Sequence, residues 1–249
     1  MKVVYHHRYE EVYAGDPAAA PGRMEDIIRE VKPHFDIIEP EPANIEDTRM
    51  VHTEDHIAYV RRRELAYDIA LLAAGGAITA AGLAMAGEPS FGLIRPPGHH
   101  ASPDRSWGFC YFNNVAIAIE KLRRAGKISK AVILDIDLHF GDGTDNFFRG
   151  VPDVVYFHPD DLDRMRFVDD IARFLSGAAA DVIAVSAGFD RHEHDWGEML
   201  TTDDYKEIGG MVRDFADRAC DGRRFGVLEG GYNHAVLGQN VRAFLDGMK

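Results

Sequence analysis

Short apolar runs recur along the chain at Lys2–Tyr5, Phe35–Glu39, Phe91–Ile94, Ala131–Asp135, Asp153–Phe157, Asp181–Ser186 and Phe225–Glu229. Most are continuous rather than alternating, as a strand covered on both faces requires. Between them, apolar positions fall at helical spacing in Arg23–Val31, Tyr67–Met85, Phe112–Ala125, Arg164–Leu175, Thr202–Ala219 and His234–Met248. Strand alternating with helix predicts an α/β fold with a mostly parallel central sheet between helical layers. Thr202, followed by Asp203 and Asp204, reads as the N-terminal cap of its helix.

The pattern also limits what else the chain can be. From Ile69 to Ala86 it is uncharged and near membrane length, but it is mostly Ala and Gly, so a buried helix is expected. The opening MKVVYHHRYEEV reads as a strand rather than a secretion signal, which makes the cytoplasm the expected location. The segment Pro17–Gly22 reads as a loop, and no repeat or linker divides the chain, so one domain over residues 1–249 is expected. Two cysteines, Cys110 and Cys220, are too few for a disulfide framework or a thiolate metal site. Acidic residues outnumber basic ones 41 to 28, for a net charge of −13. Such a surface disfavours phosphate backbones and anionic membranes as partners and leaves room for a cationic substrate.

In open parallel sheets the ligand site lies beyond the carboxyl ends of the strands, so chemistry is sought just after each apolar run. After Ala131–Asp135 the chain reads Asp135-Ile136-Asp137-Leu138-His139, and alternate residues of extended chain project to one side. After Asp181–Ser186 it reads Ala187-Gly188-Phe189-Asp190. Asp137, His139 and Asp190 thus offer two carboxylates and an imidazole, a three-ligand set for a cation such as Zn²⁺ with a position left open. Alone, Asp-x-His more often marks strand-end caps and solvated loop residues. The adjacent His99 and His100, at a third strand end in Arg95-Pro96-Pro97-Gly98-His99-His100, give these acids bases to work with. Asp135 and Asp142 remain to orient imidazoles, and a carboxylate on one ring nitrogen fixes the tautomer and raises basicity. Glu229-Gly230-Gly231-Tyr232-Asn233 delivers a phenol to the same edge, where it can serve as a turn aromatic or as a donor to an oxyanion. His6, His7, His192 and His194 read as exposed loop residues rather than further ligands.

Five segments in order, RPPGHHA at Arg95–Ala101, GFCYFNN at Gly108–Asn114, LDIDLHFGDGT at Leu134–Thr144, SAGFD at Ser186–Asp190 and EGGYN at Glu229–Asn233, resemble the histone deacetylase and acetylpolyamine amidohydrolase superfamily. Val51-His52-Thr53 and the Leu71–Gly76 stretch extend the likeness upstream. The resemblance implies the three-layer α/β/α arginase–deacetylase sandwich and zinc, or Fe²⁺, held by Asp137, His139 and Asp190. It implies hydrolysis of an acetyl amide, with Tyr232 polarising the carbonyl beside the metal and His100 taking a proton from the attacking water. His99 would support the transition state; Asp135 pairs with His99 and Asp142 with His100. Gly108 and Phe109 match a segment lining the acyl-amine channel. The expected partner is a small acetylated amine or an acetyl-lysine compound.

The chain departs from the pattern in three places. Related enzymes hold K⁺ beside this strand, and Asp135 with the carbonyls of Asp137 and His139 would form part of that cage. The serine expected in the next strand is here Tyr156, in Tyr156-Phe157-His158, which puts the K⁺ site in doubt. Phe140 stands where many relatives carry histidine, and changed packing is expected there. Only 32 positions separate His158 from Asp190, where relatives carry a longer segment with an aromatic opposite the Phe109 position, and the loop after Val51-His52-Thr53 is also short. A trimmed rim, more open or differently completed, for example by a second copy in a homo-oligomer, is the expectation. Two other readings are weighed. A binuclear manganese ureohydrolase shares the fold but needs a second acidic cluster, whereas Arg191-His192-Glu193-His194-Asp195 follows Asp190. A non-catalytic metal- or acyl-binding module would have no use for Tyr232 with both His99 and His100.

Overall fold

The computed structural model describes all 249 residues. Seven strands form a single sheet: β1 (Lys2–Val4), β2 (Asp36–Ile38), β3 (Ser90–Gly92), β4 (Ala131–Asp135), β5 (Val154–Phe157), β6 (Val182–Ala187) and β7 (Arg224–Leu228). Their spatial order is β2-β1-β3-β7-β6-β4-β5, and every pairing is parallel, so the sheet expected to be mostly parallel is wholly so. β3, β4, β6 and β7 are buried along their length, which accounts for their unbroken apolar runs.

Nine helices cover the sheet: α1 (Arg23–Val31), α2 (Ile45–Arg49), α3 (Glu54–Arg61), α4 (Glu64–Met85), α5 (Asn114–Arg124), α6 (Asp142–Phe148), α7 (Arg164–Gly177), α8 (Thr202–Ala219) and α9 (His234–Met248). α4 is the Ala- and Gly-rich segment. By length and composition it could cross a membrane, but most of it is buried inside the fold, against α5 and the sheet. Its small residues allow that: a Cβ on Gly75 would lie 2.0 Å from the Glu41 carbonyl oxygen. α8 corrects one expectation. Thr201, not Thr202, is the cap, in a reciprocal box with Asp204, while Thr202 is the first helical residue and donates to Asn240. The Thr-Thr-Asp-Asp sequence offers two candidate caps, and the box forms with the threonine three residues ahead of the inward-facing Asp204.

His52 ties the N-terminal helices to the loops around the candidate site. Its Nε2 accepts from the Asn113 N–H at 2.9 Å, so its proton sits on Nδ1, which donates to the Ser102 carbonyl at 3.0 Å. Burial, reinforced by neighbouring His56, lowers its pKa to about 3. The unfolded chain, at about 6.5, binds a proton that the folded chain refuses. Stability should therefore fall as pH drops from about 6.5 toward 3, by at most ~1.4 kcal/mol per pH unit for this one group. Urea midpoints for the parent and His52→Gln between pH 7.5 and 4.5 test this. The variant should start lower and fall less steeply; parallel slopes would show that His52 is not a source of the acid sensitivity.

Candidate functional site

The loops that leave the carboxyl ends of β3, β4, β6 and β7 meet over the centre of the sheet. β4 ends at Asp135, and its continuation brings Asp137 and His139 beside Asp190 from the loop after β6. This is the one cluster of three such residues in the chain with ligand atoms all within 4.8 Å of one another, so the second cluster needed by a ureohydrolase is not formed. His139 Nδ1 lies 3.2 Å from Asp137 Oδ1 and 3.1 Å from Asp190 Oδ2. Atoms bound about 2.0 Å from a tetrahedral ion are separated by about 3.3 Å, so the spacing fits zinc-like coordination. Asp137 and Asp190 are buried; Asp190 Oδ1 accepts from the Leu138 N–H, but Oδ2 has no hydrogen-bond partner. Gly230 keeps the space clear, because a Cβ there would lie 2.6 Å from Asp137 Oδ2 and 2.7 Å from Asp190 Oδ2. Two buried carboxylates against one imidazole leave negative charge that a cation would balance. The Asp137 and Asp190 carboxylates against its ring push His139 up to about 10, while burial and the Asp137 charge raise Asp190 to about 6.

Both histidines of the β3 loop are buried and paired as the sequence suggests. His99 Nδ1 lies 3.1 Å from Asp135 Oδ2, and His100 Nδ1 lies 2.8 Å from Asp142 Oδ1. Their electrostatic settings differ. Burial disfavours the charged form of His99, but Asp137 and Asp135 outweigh it and hold the pKa well above the usual value. Burial and the charge of His99 bring His100 down to about 4, despite Asp142. His100 is thus neutral near pH 7 and able to accept a proton. Burial and the charges of Asp137 and Asp190 push the Tyr232 phenol up, so it remains a donor.

These groups line a cavity of about 110 Å³ with Pro97, Trp107, Gly108, Phe109, Trp196 and Gly230. Gly108 and Phe109 both have left-handed backbone, at φ 57° and 66°. A side chain at 108 would strike His100, since a Cβ would sit 2.3 Å from its ring, whereas the strained Phe109 brings its ring edge-on to Tyr232, 6.0 Å between centroids. Trp196 stacks on the other side of Tyr232 at 4.0 Å, and Trp107 covers His100 at 4.0 Å while its indole N–H donates to Asp142. The rim expected to be open or finished by a second copy therefore has an aromatic wall from this chain itself. Phe140 packs edge-on against Tyr156 and His158.

Several residues around the site were not singled out by the sequence. Arg23, at the start of α1, donates to the Glu229 and Gly231 carbonyls, and Asp195 accepts from the N–H groups of Tyr232 and Asn233, so the two clamp the turn that carries Tyr232. Glu229 accepts from the N–H groups of Gly98 and His99 and holds the histidine loop; burial raises it to about 7. His192, expected on an exposed loop, is instead buried and accepts from the His194 N–H, because the segment after Asp190 folds back under α8. Of these, Glu229 stands at the head of the EGGYN segment, whereas nothing in the local sequence marks Arg23 or Asp195.

Comparisons with known proteins bear on the family and the fold. The chain matches the family model of the histone deacetylase domain over residues 18–161 and 159–248. It is 32% identical to a probable deacetylase of Methanothermobacter thermautotrophicus, over 91% of this chain and 84% of that protein. It is also 32% identical to an acetylpolyamine amidohydrolase of Burkholderia pseudomallei, over 70% of this chain and 60% of that protein. The crystal structure of the HDA15 HD domain superimposes with a TM-score of 0.85 at 24% identity, covering 98% of this chain and 88% of the other, which shows the same fold. The protein belongs to the histone deacetylase family.

Proposed function

We propose that this protein is a zinc-dependent amidohydrolase that removes the acetyl group from an N-acetylated amine, working as a single catalytic domain over residues 1–249. The reading rests on one cavity whose lining brings two carboxylate-paired imidazoles and the Tyr232 phenol together with His139, the member of the Asp137, His139 and Asp190 cluster that reaches it. A zinc or ferrous ion held by those three residues would supply Lewis acidity toward the amide carbonyl and make water a better nucleophile near neutral pH. Everything else is done by side chains of the chain. His100, neutral and aimed by Asp142, takes the proton from the attacking water and returns it to the departing amine. His99, with Asp135 at its back, places positive charge beside the reacting carbon. Tyr232 donates its hydroxyl to the oxyanion that forms as the carbonyl is attacked. Its turn is already fixed by Arg23 and Asp195, so little reorganisation accompanies the reaction.

The small cavity suits the end of a slender acetylated alkyl amine, passing between Phe109, Trp107 and Trp196, with Gly108 in its wall. Acetylpolyamines and acetyl-lysine compounds both meet that description. Two half-exposed indoles at the mouth and a net charge of −13 favour a substrate bearing further cationic amines.

Three outcomes are expected. Tyr232→Phe should lower kcat/KM by roughly 10²–10³ with metal content unchanged by elemental analysis, and unaltered turnover would remove the phenol from the mechanism. Asp190→Asn should keep its far-ultraviolet circular dichroism yet hold far less than one metal ion per chain; full metal content would show that Asp190 is no ligand. A turnover panel of acetylated polyamines, acetyl-lysine peptides and other acyl amines should give hydrolysis that a chelator abolishes and zinc or ferrous ion restores. If neither metal form hydrolyses any member, the proposed activity fails for these substrates.

A further inference from the structure

The loop that carries Asp137 and His139 is held from the side away from the cavity by a buried positive charge. Arg191 directly follows Asp190 and is 2% exposed. Its Nε donates to the Asp137 carbonyl at 3.0 Å, and its Nη2 donates to the Pro159 carbonyl at 3.1 Å and, more weakly, to the Leu138 carbonyl at 3.4 Å. The guanidinium carbon lies 4.6 Å over the ring of Phe167 on α7, a second contact that favours a cation there. His158 Nε2 gives the Asp137 carbonyl a further hydrogen bond at 2.9 Å. Asp135, on the same stretch, accepts from the Tyr156 hydroxyl at 2.8 Å, and that oxygen in turn accepts from the Gly141 N–H.

Two of these acceptors, Asp135 and the Asp137 carbonyl, belong with the His139 carbonyl to the cage to which the family resemblance assigns a monovalent metal ion. The residues present do not fit one. The Asp137 carbonyl has both lone pairs engaged by nitrogen donors, the Tyr156 phenol is bonded directly to Asp135, and a permanent positive charge stands where a second cation would be repelled. A guanidinium also has geometry that a spherical ion lacks: its planar donors bond carbonyls of two separate loops at once, the one after β4 and the one after β5.

We propose that the Arg191 guanidinium, with the Tyr156 hydroxyl and the His158 imidazole, is a built-in replacement for the monovalent cation, so that the loop holding Asp137 and His139 keeps its shape without K⁺. Arg191 is a positioning residue: it acts on the Asp137 backbone and does not enter the cavity. The proposal is independent of which amide is hydrolysed, and its readout is melting rather than turnover.

The experiment compares thermal melting of the zinc-loaded full chain in KCl, NaCl and tetramethylammonium chloride at equal ionic strength. The parent protein should melt at the same temperature in all three, to within about 1 °C, because no site binds the small ion in preference to the bulky one. Arg191→Gln, which removes the charge, should melt lower and recover a saturable part of the loss in KCl but not in tetramethylammonium chloride. A merely structural role for Arg191 would give a loss that is equal in every salt, and that result would overturn the proposal. A saturable, K⁺-specific rise in the parent protein would overturn it equally, and this comparison decides even if the variant does not fold. Arg191→Lys should retain the salt indifference of the parent while losing part of its melting temperature, since it keeps the charge and loses the fork.

Discussion

Burial of three carboxylates at neighbouring strand ends is the constraint on which the rest of the centre depends. Asp135, Asp137 and Asp190 are almost wholly removed from solvent and lie at or just beyond the carboxyl ends of adjacent β4 and β6. Charges so placed are costly unless each is hydrogen-bonded and offset by positive charge. The surroundings answer that requirement piece by piece. Backbone N–H groups of Asp137, Leu138, His139 and Gly230 point at carboxylate oxygens, His99 and Tyr156 meet Asp135, and Arg191 lies behind Asp137. What stays uncompensated, one bare oxygen of Asp190 beside His139, faces the cluster suited to a cation. Part of the chain's acid excess is therefore interior, and the surface is less negative than composition alone implies.

The same requirement explains which features could be read from sequence. The strands were legible because burial on both faces leaves an unbroken apolar run, and the ligands were legible because each follows such a run within a few residues. Asp137, His139 and Asp190 converge as expected, although Asp137 and His139 lie in the turn beyond β4 rather than in extended strand. The short helices α2, α3 and α6 escaped notice, since five to eight residues hold too little periodicity to register. Arg23, Asp195 and Arg191 escaped for a different reason: each acts through contacts with distant segments, and nothing in its local sequence announces the partner. Arg23 reaches more than 200 positions along the chain to Gly231.

The residues that follow Asp190 do more in three dimensions than their sequence announces. Trp196, on the segment folded back from Asp190 toward α8, gives the cavity wall an aromatic face against Tyr232. The same short segment contains Arg191, which braces the metal-holding loop from beneath, and Asp195, which braces the tyrosine turn. Six consecutive residues, Arg191 to Trp196, thus combine supports for both sides of the site.

Trp107 and Trp196 are the whole tryptophan content of the protein. One lies on His100 and the other on Tyr232, and both are about half exposed at the mouth of the same cavity. Their indoles are consequently natural optical probes: emission excited at the red edge of the ultraviolet band comes from the cavity mouth and from nowhere else in the fold, so quenching or a spectral shift on adding a ligand would report events at that mouth without any attached dye.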